Sequence, residues 1–147
     1  MSEINTIRTT IWQTLSGDQA LCVGLGIGDR IYPDLSPTLD EWPFIVYEQV
    51  QAHDVNGATA TRLMSSALYL VRVIGFEGGF AAIDPIADRI DTLLHGMHQQ
   101  LASGETISCI REQPYHEAEV DRGPTGRTGD YRVYCHAGGI YRFWVTN

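Results

Sequence analysis

Two short runs with a two-residue apolar period constrain this chain most. Residues 43–50 and 68–74 are rich in the β-branched and aromatic side chains that suit a pleated surface. In the first, Phe44, Val46 and Val50 fall on one face and Ile45, Tyr47 and Gln49 on the other, with Glu48 interrupting the first face. In the second, Leu68, Leu70 and Ile74 share a face with Arg72, while Ala67, Tyr69, Val71 and Val73 make the opposite face apolar throughout. That pattern predicts a central strand covered on both sides. The polar stretch between them, 51–66, is too long for a tight hairpin turn and is expected to be a projecting loop.

The rest of the chain supplies cover for these strands. Ile4, Ile7, Ile11, Trp12 and Leu15 align on one side of an N-terminal helix, which ends at 16–18, where Asp18 offers a cap for a short turn through 21–23. Glycines at 24, 26 and 28 form a loop rather than a dinucleotide fingerprint, since GxGxxG spacing is missing. Residues 30–32 predict a short edge strand and 33–42 an exposed crossing. A second helix carries the stripe Ile83, Ile86, Ala87, Ile90, Leu93 and Leu94, with Pro85 in its first turn and Asp84 as its cap. Residues 105–111 are another strand, and 113–130 a polar excursion expected to project as a mobile arm. Residues 131–135 and 140–145 are a hairpin or one long strand with a glycine bulge.

The predicted fold is therefore α+β: a single domain over 1–147 whose antiparallel (mixed) sheet of four to five strands lies against two main helices. At 147 residues such a domain buries a core without disulfides or metal. The three cysteines, Cys22, Cys109 and Cys135, lack CxxC spacing and are expected to be reduced and buried. A formal charge of -8 argues against general nucleic-acid binding. All ten basic residues are arginine, which suits either a crowded assembly or a composition bias. No apolar run approaches the ~20 residues that span a bilayer, and no basic-then-apolar leader opens the chain, so a soluble product with no membrane partner is expected.

Chemistry-bearing patterns are weak. Asp84, Asp88 and Asp91 lie at helical spacing and are read as a solvated outer face. His95 and His98 are three apart, and His116 adjoins Glu117, but metal motifs supply more ligands than that. Residues 121–130 resemble a phosphate loop without its lysine. No catalytic residue, cofactor site or metal site is expected, and the chain is not read as an enzyme.

Several short motifs in a fixed order carry a family resemblance. They are the N-terminal helix, Gly28-Asp29-Arg30-Ile31-Tyr32-Pro33, Trp42-Pro43-Phe44-Ile45-Val46-Tyr47, the helix at 81–94, and Gly138-Gly139-Ile140-Tyr141-Arg142-Phe143-Trp144-Val145. In these the chain resembles the tail-completion or tail-terminator proteins of long-tailed bacteriophages. The resemblance implies a virion protein, made in the host bacterial cytoplasm, that forms a hexameric ring on the head-proximal end of the tail tube. Its partners would be further copies of itself, the tail tube protein and a neck or head-completion protein, with DNA passing through the bore without specific binding. Candidate assembly or lumen-facing residues lie on the two projecting stretches: Asp54, Arg62, Asp121, Arg122, Arg127 and Asp130. The alternatives are another neck or minor tail role, or a small-molecule-binding α+β domain with a pocket between helix and sheet.

Overall fold

A computed structural model describes residues 2–34, 41–121 and 131–146. Within it six strands form one mixed sheet in the order β1-β2-β3-β6-β5-β4. They are β1 (Ile31–Pro33), β2 (Phe44–Asn56), β3 (Arg62–Phe76), β4 (His98–Gln100), β5 (Thr106–Asp121) and β6 (Arg132–Thr146). All neighbours pair antiparallel except β1, which runs parallel to β2. The strand count exceeds the expected four to five because β4, an exposed three-residue strand with no apolar alternation, left no mark in the sequence.

Helix α1 (Glu3–Ser16) begins at Ser2, whose hydroxyl accepts from the Asn5 N–H at 3.4 Å. It buries Thr6, Ile7, Thr10, Ile11 and Leu15. Ile4 and Trp12, expected in that stripe, instead lie 37% and 49% exposed, because the helix turns its Thr6/Thr10 side inward. Thr10 is accommodated there by donating to the Thr6 carbonyl at 2.8 Å. Asp18 caps the following π-helical turn, Ala20–Gly24, by accepting from the Leu21 N–H at 2.9 Å, and grips Arg89 of the second helix with both carboxylate oxygens, at 2.6 and 2.8 Å.

Helix α2 (Gly79–Leu94) starts earlier than expected, so Pro85 sits inside it rather than in its first turn, and Asp84 is not its cap. Proline there removes one helical N–H. Contacts with β5 hold the leading turns: the Phe80 ring stacks on His116 with centroids 3.6 Å apart, and Asp84 lies 3.2 Å from the same imidazole. Ile83, Ile86, Ile90 and Leu94 are buried, and burying four such side chains contributes at most about 6–12 kcal/mol. With Ile7, Ile11 and Leu15 they share one core with Ile45, Tyr69, Val71, Phe143 and Val145 of the sheet's inner face. A smaller cluster, Phe44, Val46 and Ile74 with Tyr32, Trp42 and Tyr134, covers part of the outer face of the sheet.

Much of the two long connections is strand. Residues 51–66 are not a loop: β2 and β3 stay paired from Gln51↔Leu68 to Asn56↔Arg62, leaving 57–61 as the turn. Residues 113–121 are likewise strand, paired with 132–140 of β6; the expected arm shrinks to 122–130, which lie outside the described residues. Both ribbons expose most of their side chains, so nothing in their apolar pattern announces the ladder, whose continuous element is backbone pairing. β6 is one unbroken strand. The irregularities fall elsewhere, at Val50 in β2, Leu63 in β3 and Glu112 in β5, each skipped by the register. Val50, unpaired in that register, is 56% exposed rather than packed with Phe44 and Val46.

Candidate assembly surfaces

The two ribbons leave the sheet at opposite ends. The register places the β2–β3 turn beyond Met64↔Thr146, and the tip of β5–β6 beyond Phe76↔Tyr134. At ~3.3 Å per residue the fifteen residues of β3 separate these ends by about 45 Å.

At the first end, the turn is closed by Gly57 N–H donating to Thr61 O at 2.8 Å and Ala60 N–H donating to Gly57 O at 3.0 Å. Arg62 bridges Glu3 of α1 at 2.6 Å and Asp54 at 3.6 Å, and the Ser65 hydroxyl donates to Asp54 at 2.9 Å. Thus two of the sequence-derived candidates, Asp54 and Arg62, meet. Their contact ties the ribbon to the start of the N-terminal helix, so each has a structural role whatever it meets outside the subunit.

At the other end, Glu117, Glu119 and Asp121 alternate along β5 and so share the outer face. Asp121 faces Arg132 in the ladder, more than half the length of the sheet from Asp54. Arg122, Arg127 and Asp130 lie outside the described residues. His136, opposite Glu117, is only 6% exposed and its Nε2 lies 3.1 Å from Glu119. Burial, with the nearby Arg72 charge, holds the imidazole below its ordinary pKa, while Glu119 opposes the shift. Beside it stands an array of rings: Trp42 lies 4.8 Å from Phe44, 5.3 Å from Tyr134 and 5.9 Å from Phe76.

Between the ends, ion pairs lie across the outer face. Arg72 reaches Glu48 at 3.2 Å and lies 5.9 Å from the Tyr115 ring centre; Arg142 pairs with Glu112 and donates to Ser66 at 2.9 Å. The Asp84/Asp88/Asp91 row is not a uniformly solvated face. Asp91 accepts from the Tyr141 hydroxyl at 3.1 Å and lies 3.4 Å from Arg111, while Asp84 meets His116. His95 and His98 do not share a helix: His95 caps the end of α2 and accepts from the Arg111 N–H, and His98 contacts Ser108 from β4. Among the described residues no group of three or more His, Cys, Asp or Glu side chains is arranged to hold a metal ion. The described helices include none long and apolar enough to cross a membrane.

The family profile of tail completion protein gp17 matches residues 9–136, most of the chain, from within α1 to the first third of β6. The chain belongs to the phage tail completion family. A search of functionally described protein sequences finds no match. Nine solved chains match in three dimensions, among them one with 15% sequence identity, a TM-score of 0.59, and coverage of 100% of this chain and 96% of its own. At that identity the likeness shows the fold alone. Membership of the family makes this a structural protein of the phage tail, and so of the virion. The aromatic array and its acidic rim escaped sequence reasoning, because Trp42, Glu119 and Tyr134 come from three distant segments. The Trp42-Pro43-Phe44 triplet was its one local signal.

Proposed function

We propose that this tail completion protein caps the head-proximal end of the tail tube as a six-membered ring and joins the tube to the neck. The observation that carries the reading is the pair of ribbons leaving opposite ends of one sheet. A ring of such subunits, with strands running between its faces, has one ribbon for each neighbour. Tube growth would then stop because the outward face does not repeat the inward one. Acids along the bore, Asp54 and Asp121 among them, would keep passing DNA from sticking.

Native mass spectrometry over a range of concentrations, followed by negative-stain imaging with tail tubes added, tests this. Six-subunit rings seated at one tube end support the reading. A species that decorates tubes along their length, or binds only the neck, would move the protein to another neck or minor tail role. Replacing Asp54 and Asp121 by Arg should slow DNA ejection from otherwise normal particles; unchanged ejection would remove the bore acids from the account.

A further inference from the structure

Both ribbons carry an open edge. β1 pairs only with Ile45–Tyr47 of β2, and β4 only with Thr106–Ser108 of β5. Among the described residues, β2 beyond Glu48 and β5 beyond Glu112 therefore have a partner strand on one side alone. On the open side of β2, Ile45 donates its N–H to the Arg30 carbonyl and Tyr47 accepts from the Asp34 N–H; Ala52 and Asp54, on the same inner face, direct their backbone groups the same way. Pro114 has no N–H to give β6, so its nitrogen faces away from that strand. His116, Ala118 and Val120 follow it at a spacing of two and point their N–H groups outward as well.

Each edge also bears apolar surface that its own subunit leaves uncovered. On the inner side of β5 and β6, the facing pair Val120 and Val133 is 53% and 43% exposed. Beside the β2 edge, the start of α1 bounds a cavity of about 200 Å³, lined by Ile4, Ile7, Ala52 and Ala67 with Asp54 and Arg62. Ile4 is 37% exposed there.

We propose that a second copy of this chain adds its β5 edge to the β2 edge, with Val120 of the added copy seated against Ile4 at this cavity. Three antiparallel pairings lie between β2 and β5, so the two strands run in opposite directions. A copy set alongside in the same orientation joins them antiparallel, as in the rest of the sheet. Unpaired N–H and C=O groups on both sides supply the bonds, and the apolar contact sets which edge is chosen. Charge favours this pairing over its alternatives. Asp54 lies on the inner face, whereas Glu117 and Glu119 lie on the outer face, where β2 presents Gln51 and His53. Two β2 edges would set both Asp54 carboxylates on one face, and two β5 edges would do so with Glu117 and Glu119. The inference rests on the reading that copies of this chain assemble, and it names their contact without fixing their number.

The test mixes whole-chain Ala52→Cys and Ala118→Cys at low concentration, then concentrates them with and without tail tubes. A short bismaleimide, whose reach tolerates a small difference in register, joins neighbouring thiols; gels score the cross-linked dimers and native mass spectrometry the assemblies. The parent, with Cys22, Cys109 and Cys135 as free thiols, gives the background. The expected result is a cross-linked dimer in the mixture and in neither variant alone. Ala118→Pro, which removes an outward N–H, and Val120→Asp, which adds a carboxylate on the face of Asp54, should each weaken self-association about tenfold or more. Val120 is exposed, so its variant keeps the test meaningful if Ala118→Pro fails to fold. Cross-linking of either cysteine variant with itself would overturn the proposal, as would assemblies that form without the mixed cross-link. A link from Ala52→Cys to the tube protein would give the edge to that partner and overturn it too. Mixed cross-links in a species of other than six subunits would uphold this contact and remove the six-membered ring, whereas copies that stay apart with tubes present would overturn both.

Discussion

Tyr69 of β3 and Tyr141 of β6 stand directly opposite one another on the inner face, 1% and 0% exposed, and each flanking strand bulges immediately beyond that row. Val50 is the extra residue in β2 and Glu112 in β5. A bulge bends its strand and sharpens the local twist. The two bulges fall on opposite sides of the tyrosine row, Val50 toward Leu68 and Glu112 toward Ile140, so the β2–β3 and β5–β6 ladders shift at different levels of the sheet.

The two hydroxyls differ in what they bond. Tyr141 donates to the Asp91 carboxylate at 3.1 Å, whereas Tyr69 meets the Gln49 amide oxygen at a marginal 3.4 Å. Tyr141→Phe should cost about 1.5–3 kcal/mol and Tyr69→Phe less than about 1 kcal/mol, read from urea midpoints, because hydrogen bonds to charged acceptors are the stronger class. Equal costs would show that Asp91 is satisfied by Arg111 alone.

Alkaline stability follows from the same row. Burial pushes the Tyr69 phenol up to about 12 and raises Tyr141 as well, with Asp91 adding to the latter. Below pH ~10 both states keep these protons; above it the unfolded chain loses them first, so stability is lost as pH rises toward the folded values. The double variant Tyr69→Phe, Tyr141→Phe, less stable at pH 7, should show a flatter decline between pH 10 and 12.

His136 predicts the opposite slope on the acid side. Its folded pKa is lowered, chiefly by burial, so as pH falls through the ordinary 6.5 only the unfolded chain takes up the proton and stability drops. His136→Gln should remove this part of the loss between pH 7.5 and 5.5, measured by chemical denaturation at each pH.

Gly138 should tolerate no side chain. A Cβ there would lie 2.0 Å from the Val71 carbonyl oxygen and 2.7 Å from the Arg72 Cα, both backbone atoms. Gly138→Ala should cost about 3 kcal/mol or more. At Gly139 the nearest atom is the Arg111 Cδ at 2.7 Å, on a flexible chain, so Gly139→Ala should cost about 1 kcal/mol. Thermal unfolding of the two variants gives the comparison, and a milder effect at 138 would mean that β3 and β6 can separate locally.

The Asp18–Arg89 pair links the first turn after α1 to α2. The guanidinium beside Asp18 holds its carboxyl below the usual range, so the stability this pair supplies is present above pH ~4 and lost as pH falls through the folded value. Arg89→Gln should be less stable than the parent at pH 7, and the gap should narrow as pH falls below the ordinary carboxylate range.

How much was legible depended on where water stops. Alternation in β3 and β6 announced their faces: Tyr141, Phe143 and Val145 point inward, while Arg142 and Trp144 point outward, as their spacing implies. The stripe of α2 announced its buried side in the same way. The ribbons did not, since residues such as His53 and Glu117 are wet although their backbones are paired. Trp12 misled for a related reason, because an apolar residue at the edge of a stripe can face either way and Thr10 took the inner position. Of the candidate site residues, spacing could not tell that Arg62 joins Asp54 to Glu3 while Asp121 lies toward the far end of the sheet.

By itself the sequence determined the α+β class, the inner faces of the central strands, the buried side of α2 and the order of motifs that marks the family. These rest on local periodicity and burial, which neighbouring residues encode together. Only the tertiary structure decided the strand order, the opposed directions of the two ribbons and the aromatic array of Trp42 and Tyr134 beside its acidic rim. These depend on backbone pairing between segments distant in the chain, and backbone hydrogen bonds are the same for every residue that can make them.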